Sequence, residues 1–150
     1  MKIKVITASF IAACFFSVAT AHEGHDHGDS KPAVVEAAKA DFKQVMPGVK
    51  KKVLWEDAAS GAYGTFTKFD PGQINSMHSH THEIRIVVLQ GAYLYKAKNG
   101  PEKRIGPGSF IAIPGGDVHE SGADAKEGAL FYEESPGKFD LKPAEPSDKK

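Results

Sequence analysis

From residue 49 onward, the chain consists of short β-rich runs that are separated by Gly, Pro, Asn and Asp residues. The runs cover residues 49–56, 62–69, 84–90, 92–97, 109–113 and 128–133. Regular short strands with turn residues between them are typical of an antiparallel sandwich or a small barrel. A chain of 150 residues is long enough for one such domain. We therefore predict an all-β fold, with a single barrel over residues 47–142.

Charge and composition exclude some classes of protein. The chain has 19 basic and 19 acidic side chains and a formal net charge of zero. A nucleic-acid-binding protein would be expected to carry a basic stripe, so we predict no nucleic-acid partner. The 41% hydrophobic content is ordinary for a globular domain. Aromatic and aliphatic side chains are predicted to line the barrel, namely Phe66, Tyr93, Tyr95, Phe110, Ile113, Phe131 and Tyr132.

Residues 1–21 have the pattern of a secretory signal peptide. Lys2 and Lys4 precede an apolar run over residues 5–18, and Ala19-Thr20-Ala21 supplies the small side chains that signal peptidase requires. The run is too short for a permanent membrane anchor. We predict cleavage after Ala21, which leaves 17 basic against 19 acidic side chains, a net charge of −2 and no stable membrane span.

The predicted export places the protein in the periplasm or outside the cell. An alternative is a lipoprotein, because Ile11-Ala12-Ala13-Cys14 resembles a bacterial lipobox with Cys14 as the lipidated residue. Cys14 is the sole cysteine of the chain. If the leader is removed at Ala21, disulfides, thiol nucleophiles and cysteine–zinc sites are all excluded.

The segment 22–46 is predicted to be a His-rich tail followed by a short helical or extended arm. His22, His25 and His27 lie in a polar stretch that suits either a flexible linker or a tail that collects Zn, Cu or Ni. The helical alternative depends on Ser30 as a cap and on apolar residues at helical spacing, namely Val35, Ala38, Phe42 and Val45. At the other end, the charged, proline-containing residues 143–150 are predicted to form a flexible tail.

Four further histidines form the candidate site. His78, His80 and His82 alternate along the chain, so on a strand they would lie on one face. Imidazoles at such positions can bind one ion at about 2.1 Å. His119 would reach the same ion from an adjacent strand. The alternative is a polar or pH-sensitive patch on the wet face of the sheet.

The spacing of these histidines resembles the two motifs of the cupin superfamily. Gly72, five residues and then His78-Ser79-His80 match the start of the first motif. The second motif is matched by Gly108, Pro114, Gly116 and His119. The resemblance covers roughly residues 50–141 and implies a small antiparallel jelly-roll barrel with a metal ion near its mouth. Because cupins often dimerise, it also implies a homodimer.

The chain departs from the first motif at its acidic residue. The usual register would place the acid at Ile84, whereas Glu83 follows His80 after only two residues. Strand parity turns Glu83 away from the histidines unless a bulge intervenes, while His82 has the right parity. A cupin subgroup with a similar short spacing favours Glu83. The expected ligands are therefore His78, His80 and His119, with either Glu83 or His82 as the fourth. In the second motif, Ala123 replaces the usual Asn, which is not normally a ligand.

Such ligands suit divalent Fe, Mn, Ni, Cu or Zn. Cupins use these metals for dioxygenation, isomerisation, decarboxylation and hydrolysis, and some cupins only bind small ligands. The resemblance thus implies metal-dependent chemistry on a small molecule, of a dioxygenase or isomerase kind. The alternative is a non-catalytic periplasmic cupin that senses or buffers a small ligand or a metal.

Overall fold

The structure, a computed structural model, describes residues 31–144. Regular structure in this part of the chain consists of strands and one short 3-10 turn, Ala37–Lys39. The strands are β1 (Lys43–Met46), β2 (Val49–Glu56), β3 (Tyr63–Phe69), β4 (Ile74–Ser79), β5 (Ile84–Gly91), β6 (Tyr93–Ala97), β7 (Glu102–Ile105), β8 (Phe110–Ile113), β9 (His119–Ala123), β10 (Ala129–Ser135) and β11 (Lys142–Pro143). The predicted all-β fold is confirmed.

Two antiparallel sheets enclose the core. The larger sheet has the strand order β1-β2-β3-β10-β5-β8, and the smaller has the order β11-β4-β9-β6-β7. Phe131 of β10 is fully buried, with its ring centroid 5.0 Å from that of Phe69 on β3 and 5.2 Å from that of Tyr93 on β6. Since β6 belongs to the smaller sheet, the aromatic cluster joins the two sheets.

Strand parity decides which of the predicted lining residues face the core. Tyr93, Ile113 and Phe131 are buried as expected. Tyr132 follows Phe131 directly, so its side chain lies on the opposite face of β10, where its hydroxyl accepts a hydrogen bond from Trp55 Nε1 at 3.3 Å. The prediction for Phe110 was wrong, because it begins the edge strand β8 and is 62% exposed.

The N-terminal arm is mostly extended. Its helical spacing yields only the turn Ala37–Lys39, and residues Lys43–Met46 instead pair with β2 as an edge strand. Gly48, with a φ of 72°, makes the tight turn between β1 and β2. Of the two alternatives for this arm, the described residues therefore adopt the mostly extended one, because hairpin pairing overrides a weak local helix preference.

At the C-terminus, the predicted boundary falls inside a strand. Lys142 and Pro143 pair with Ser79 and His78 of β4, and Ala144 N donates to Met77 O at 2.9 Å. Pro143 is thus part of the smaller sheet, and Ala144 is hydrogen-bonded to it. The rest of the predicted C-terminal tail, the predicted signal peptide and residues 22–30 lie outside the described residues. Within residues 31–144, no helix has the length and apolar character needed to cross a membrane.

Candidate metal centre

Three histidine side chains come together at the smaller sheet. β4 and β9 are neighbours, and their register places His78 directly opposite His119. His80 follows one residue after the end of β4. One ring nitrogen from each of the three residues lies within 4.8 Å of the others. All three side chains are buried, and His119 has no exposed surface.

Backbone carbonyls fix the orientation of each imidazole. His78 Nδ1 donates to Ser76 O at 2.7 Å, His80 Nδ1 to Asp140 O at 2.6 Å, and His119 Nδ1 to Asp117 O at 3.1 Å. A carbonyl oxygen can only accept, so the proton of each neutral ring is on Nδ1 and the lone pair is on Nε2. This is the arrangement that supports metal-binding histidines in proteins.

The residues present fit a divalent metal. His119 Nε2 is buried and has no hydrogen-bond partner among the described residues. A buried acceptor without a partner costs free energy, which a bound ion would recover. Three neutral imidazoles are also a known ligand set for zinc in a site that keeps one position open.

Burial keeps these imidazoles in the form that binds metal. It is the main cause that lowers the pKa of His78, His80 and His119, and the carbonyl partners offset only part of this effect. Repulsion from a neighbouring imidazole lowers each pKa further. All three rings are therefore neutral at neutral pH, as metal ligation requires.

The two candidates for a fourth ligand lie outside this cluster. Glu83 Oε1 accepts a hydrogen bond from Arg85 Nε at 2.6 Å, at an exposed position. His82 is exposed, and its ring lies against Gly137, where an added Cβ would be 2.5 Å from the ring. Ile84, at the register where the cupin motif has its acid, is 4% exposed and lines a cavity beside His78 and His80.

That cavity has a volume of about 50 Å³. Its wall is largely apolar, and includes Ile84, Ile86, Phe131, Phe139 and Leu141. Pockets for drug-sized ligands typically measure about 300–1,000 Å³, so this one suits a much smaller molecule.

Sequence reasoning missed three charged residues near the histidines. Lys51 and Glu133 form a buried ion pair in the cavity wall, with Lys51 Nζ 2.7 Å from Glu133 Oε1. Asp140 accepts hydrogen bonds from the amide and hydroxyl of Thr81, which fixes the loop after His80. The sequence did contain one indication of Glu133. On a strand, it would lie on the same face as the core residue Phe131, two positions before it.

Several proteins of known structure have a fold similar to that of this chain. RemF, a polyketide cyclase from Streptomyces resistomycificus, is 21% identical with a TM-score of 0.65, over 79% of this chain and 89% of that one. KdgF from Halomonas sp. is 23% identical with a TM-score of 0.57, over 69% of this chain and 94% of that one. None of the curated protein sequences matches this chain.

The complex of SigE with the anti-sigma ChrR from Rhodobacter sphaeroides contains a further similar chain. It is 18% identical with a TM-score of 0.55, over 67% of this chain and 51% of that one. The two-sheet fold with its buried histidine triad is that of a cupin-type jelly-roll protein. Residues 30–136 match the family described as the ChrR cupin-like domain, and the chain belongs to that family.

Proposed function

We propose that this protein binds one divalent transition metal through His78, His80 and His119 and uses it to act on a small molecule. The observation that supports this proposal is the convergence of three buried imidazoles, each with Nδ1 on a carbonyl, together with a His119 Nε2 that has no hydrogen-bond partner among the described residues. A metal bound there would supply a Lewis acid that can hold and polarise a small ligand. Glu83 and His82, the two alternatives for a fourth protein ligand, would each have to move to reach such a metal.

The residues of the chain itself would prepare the site for such a ligand. Ile84, Ile86 and Phe131 give the cavity apolar walls, which would lower the local dielectric constant and strengthen the electrostatic interactions inside it. Phe139 lies at the wall with its ring centroid 5.5 Å from that of His80. The volume of about 50 Å³ favours a ligand of few atoms, acted on by dioxygenase- or isomerase-like chemistry.

A non-catalytic role as a sensor or metal buffer is the second candidate. Membership of the ChrR cupin-like family favours it, because one similar structure contains an anti-sigma protein. The histidines of segment 22–27 would add binding capacity in a buffer.

Metal content distinguishes these functions. We expect protein purified without an affinity tag, and then reconstituted separately with Fe²⁺, Mn²⁺, Ni²⁺, Cu²⁺ and Zn²⁺, to retain about one ion per chain in elemental analysis. Preference for Fe²⁺ or Mn²⁺ would favour the enzyme. Several further equivalents of Zn²⁺, Cu²⁺ or Ni²⁺ that disappear when residues 22–27 are deleted would favour the buffer. No bound metal after reconstitution would contradict both functions.

We further propose that the protein is exported to the periplasm or secreted. The support is the pattern of Lys2 and Lys4, the apolar run and Ala19-Thr20-Ala21. After expression in a Gram-negative host, intact mass spectrometry should show a soluble chain that begins at His22. A lipidated chain in the membrane fraction would instead favour the lipoprotein alternative at Cys14, and an unprocessed cytoplasmic chain would contradict export.

A further inference from the structure

A buried ion pair from the larger sheet forms part of the cavity that His78 and His80 also line. Glu133 on β10 is 5% exposed, and the side chain of Lys51 on β2 is 13% exposed. The free-energy cost of removing two charges from water can exceed the gain from their mutual attraction. A buried ion pair is therefore poor evidence for a role in stability. Its position beside the histidines instead suggests a role in the site.

The two oxygens of Glu133 are used unequally. Oε1 accepts hydrogen bonds from Lys51 Nζ and from Tyr63 Oη, both at 2.7 Å. Among residues 31–144, Oε2 has only the Thr67 hydroxyl as a partner, at 3.4 Å, and that hydroxyl is also 3.1 Å from Thr65 Oγ1. Because charged carboxylates normally accept at about 2.5–2.9 Å, Oε2 keeps most of its capacity to accept a hydrogen bond.

Lys51 compensates the charge of Glu133, and its ammonium group also contacts aromatic rings. Besides its bond to Glu133, Lys51 Nζ lies 3.9 Å from the ring centroid of Phe139 and 5.6 Å from that of Tyr63. Burial by itself raises the pKa of Glu133, but Lys51 and the Tyr63 hydroxyl outweigh that effect and lower it. The carboxylate is therefore ionised at neutral pH.

We propose that Glu133 is a specificity-determining residue that accepts a hydrogen bond from the ligand bound at the histidine triad. A ligand with an N–H or O–H group would satisfy Oε2, whereas a bare anion offers no proton to Oε2 and gains little from Lys51, whose charge the carboxylate already offsets. The site would thus select small neutral ligands that carry a proton donor. This inference rests on the proposed metal site.

Two small ligands that differ in charge and in proton donors test the inference on the Co²⁺-loaded protein. Their binding is followed in the visible absorption spectrum. Imidazole binds a metal as a neutral molecule and keeps one N–H donor, and azide is an anion without a donor. We expect Glu133→Gln to weaken imidazole by about 10-fold, the effect of one hydrogen bond to a charged group, and to strengthen azide, because the charge of Lys51 is then no longer offset by a carboxylate. A variant that merely disturbed the fold would weaken both ligands.

Glu134→Gln is the matched control, because Glu134 is the next residue on β10 and pairs instead with Arg85 and Tyr132. It should leave both affinities unchanged. If Glu133→Gln folds poorly, the double variant K51M/E133M replaces the pair with apolar side chains of similar volume, a change that proteins often tolerate. It should lose the preference for imidazole.

The outcomes separate this inference from the function on which it rests. A Co²⁺-loaded protein whose preference is the same with and without the Glu133 carboxylate would overturn the role of Glu133 alone. A wild-type protein that takes up no Co²⁺ would overturn the metal site and this inference with it.

Discussion

Replacing Phe131 by alanine should lower the free energy of unfolding by about 3–5 kcal/mol. Phe131 is fully buried and contacts Phe69 and Tyr93, so the substitution removes the ring that joins the two sheets. Domains are typically stable by only about 5–15 kcal/mol, so this loss is a large share of the total. Urea unfolding of the metal-free protein, followed by far-UV circular dichroism, measures it without a contribution from bound metal.

Phe110→Ala is the control, because it makes the same chemical change at a residue that is 62% exposed. Its cost should be within about 0.5 kcal/mol, as for most surface substitutions. Equal losses for the two variants would show that the core does not depend on Phe131 and would contradict the described packing.

Strands with many apolar and β-branched residues were predictable from the sequence alone. β2 has the predicted bounds, and β3, β5, β6, β8 and β10 differ from prediction by one or two residues at their ends. β7 and β9 were not among the predicted runs, because Glu102–Ile105 and His119–Ala123 are largely polar or small. These segments are strands because β6 pairs with both of them, and a local sequence pattern cannot show such pairing.

The candidate site could be predicted in part. The motif spacing indicated His78, His80 and His119, and the structure brings these three together. The alternation was also expected to place His82 beside them, but β4 ends at Ser79 and the chain bends before β5 begins at Ile84. The ion pair between Lys51 and Glu133 could not be predicted from the local sequence, since it joins residues 82 positions apart in the chain.

Replacing His78 by alanine should weaken metal binding by at least about 100-fold, the upper end of the cost of losing a residue that only supports a ligand. His78 lies opposite His119 in the register of β4 and β9, and its ring lies next to those of both His80 and His119. The substitution therefore removes an imidazole that is adjacent to the other two. Competition between the protein and a chromophoric chelator for Zn²⁺ measures the affinity, and circular dichroism of the metal-free variant verifies the fold.

His82→Ala and Glu83→Ala are the matched controls, and they also decide the fourth ligand. Glu83 is held by Arg85 and His82 is exposed against Gly137, so neither side chain reaches the histidine cluster without moving. We expect both variants to bind Zn²⁺ like the wild type, whereas a true ligand would cost about 10-fold or more. A loss confined to one of them would identify the fourth ligand. If His78→Ala and both controls lost affinity equally, the metal would bind elsewhere and the three-histidine site would be refuted.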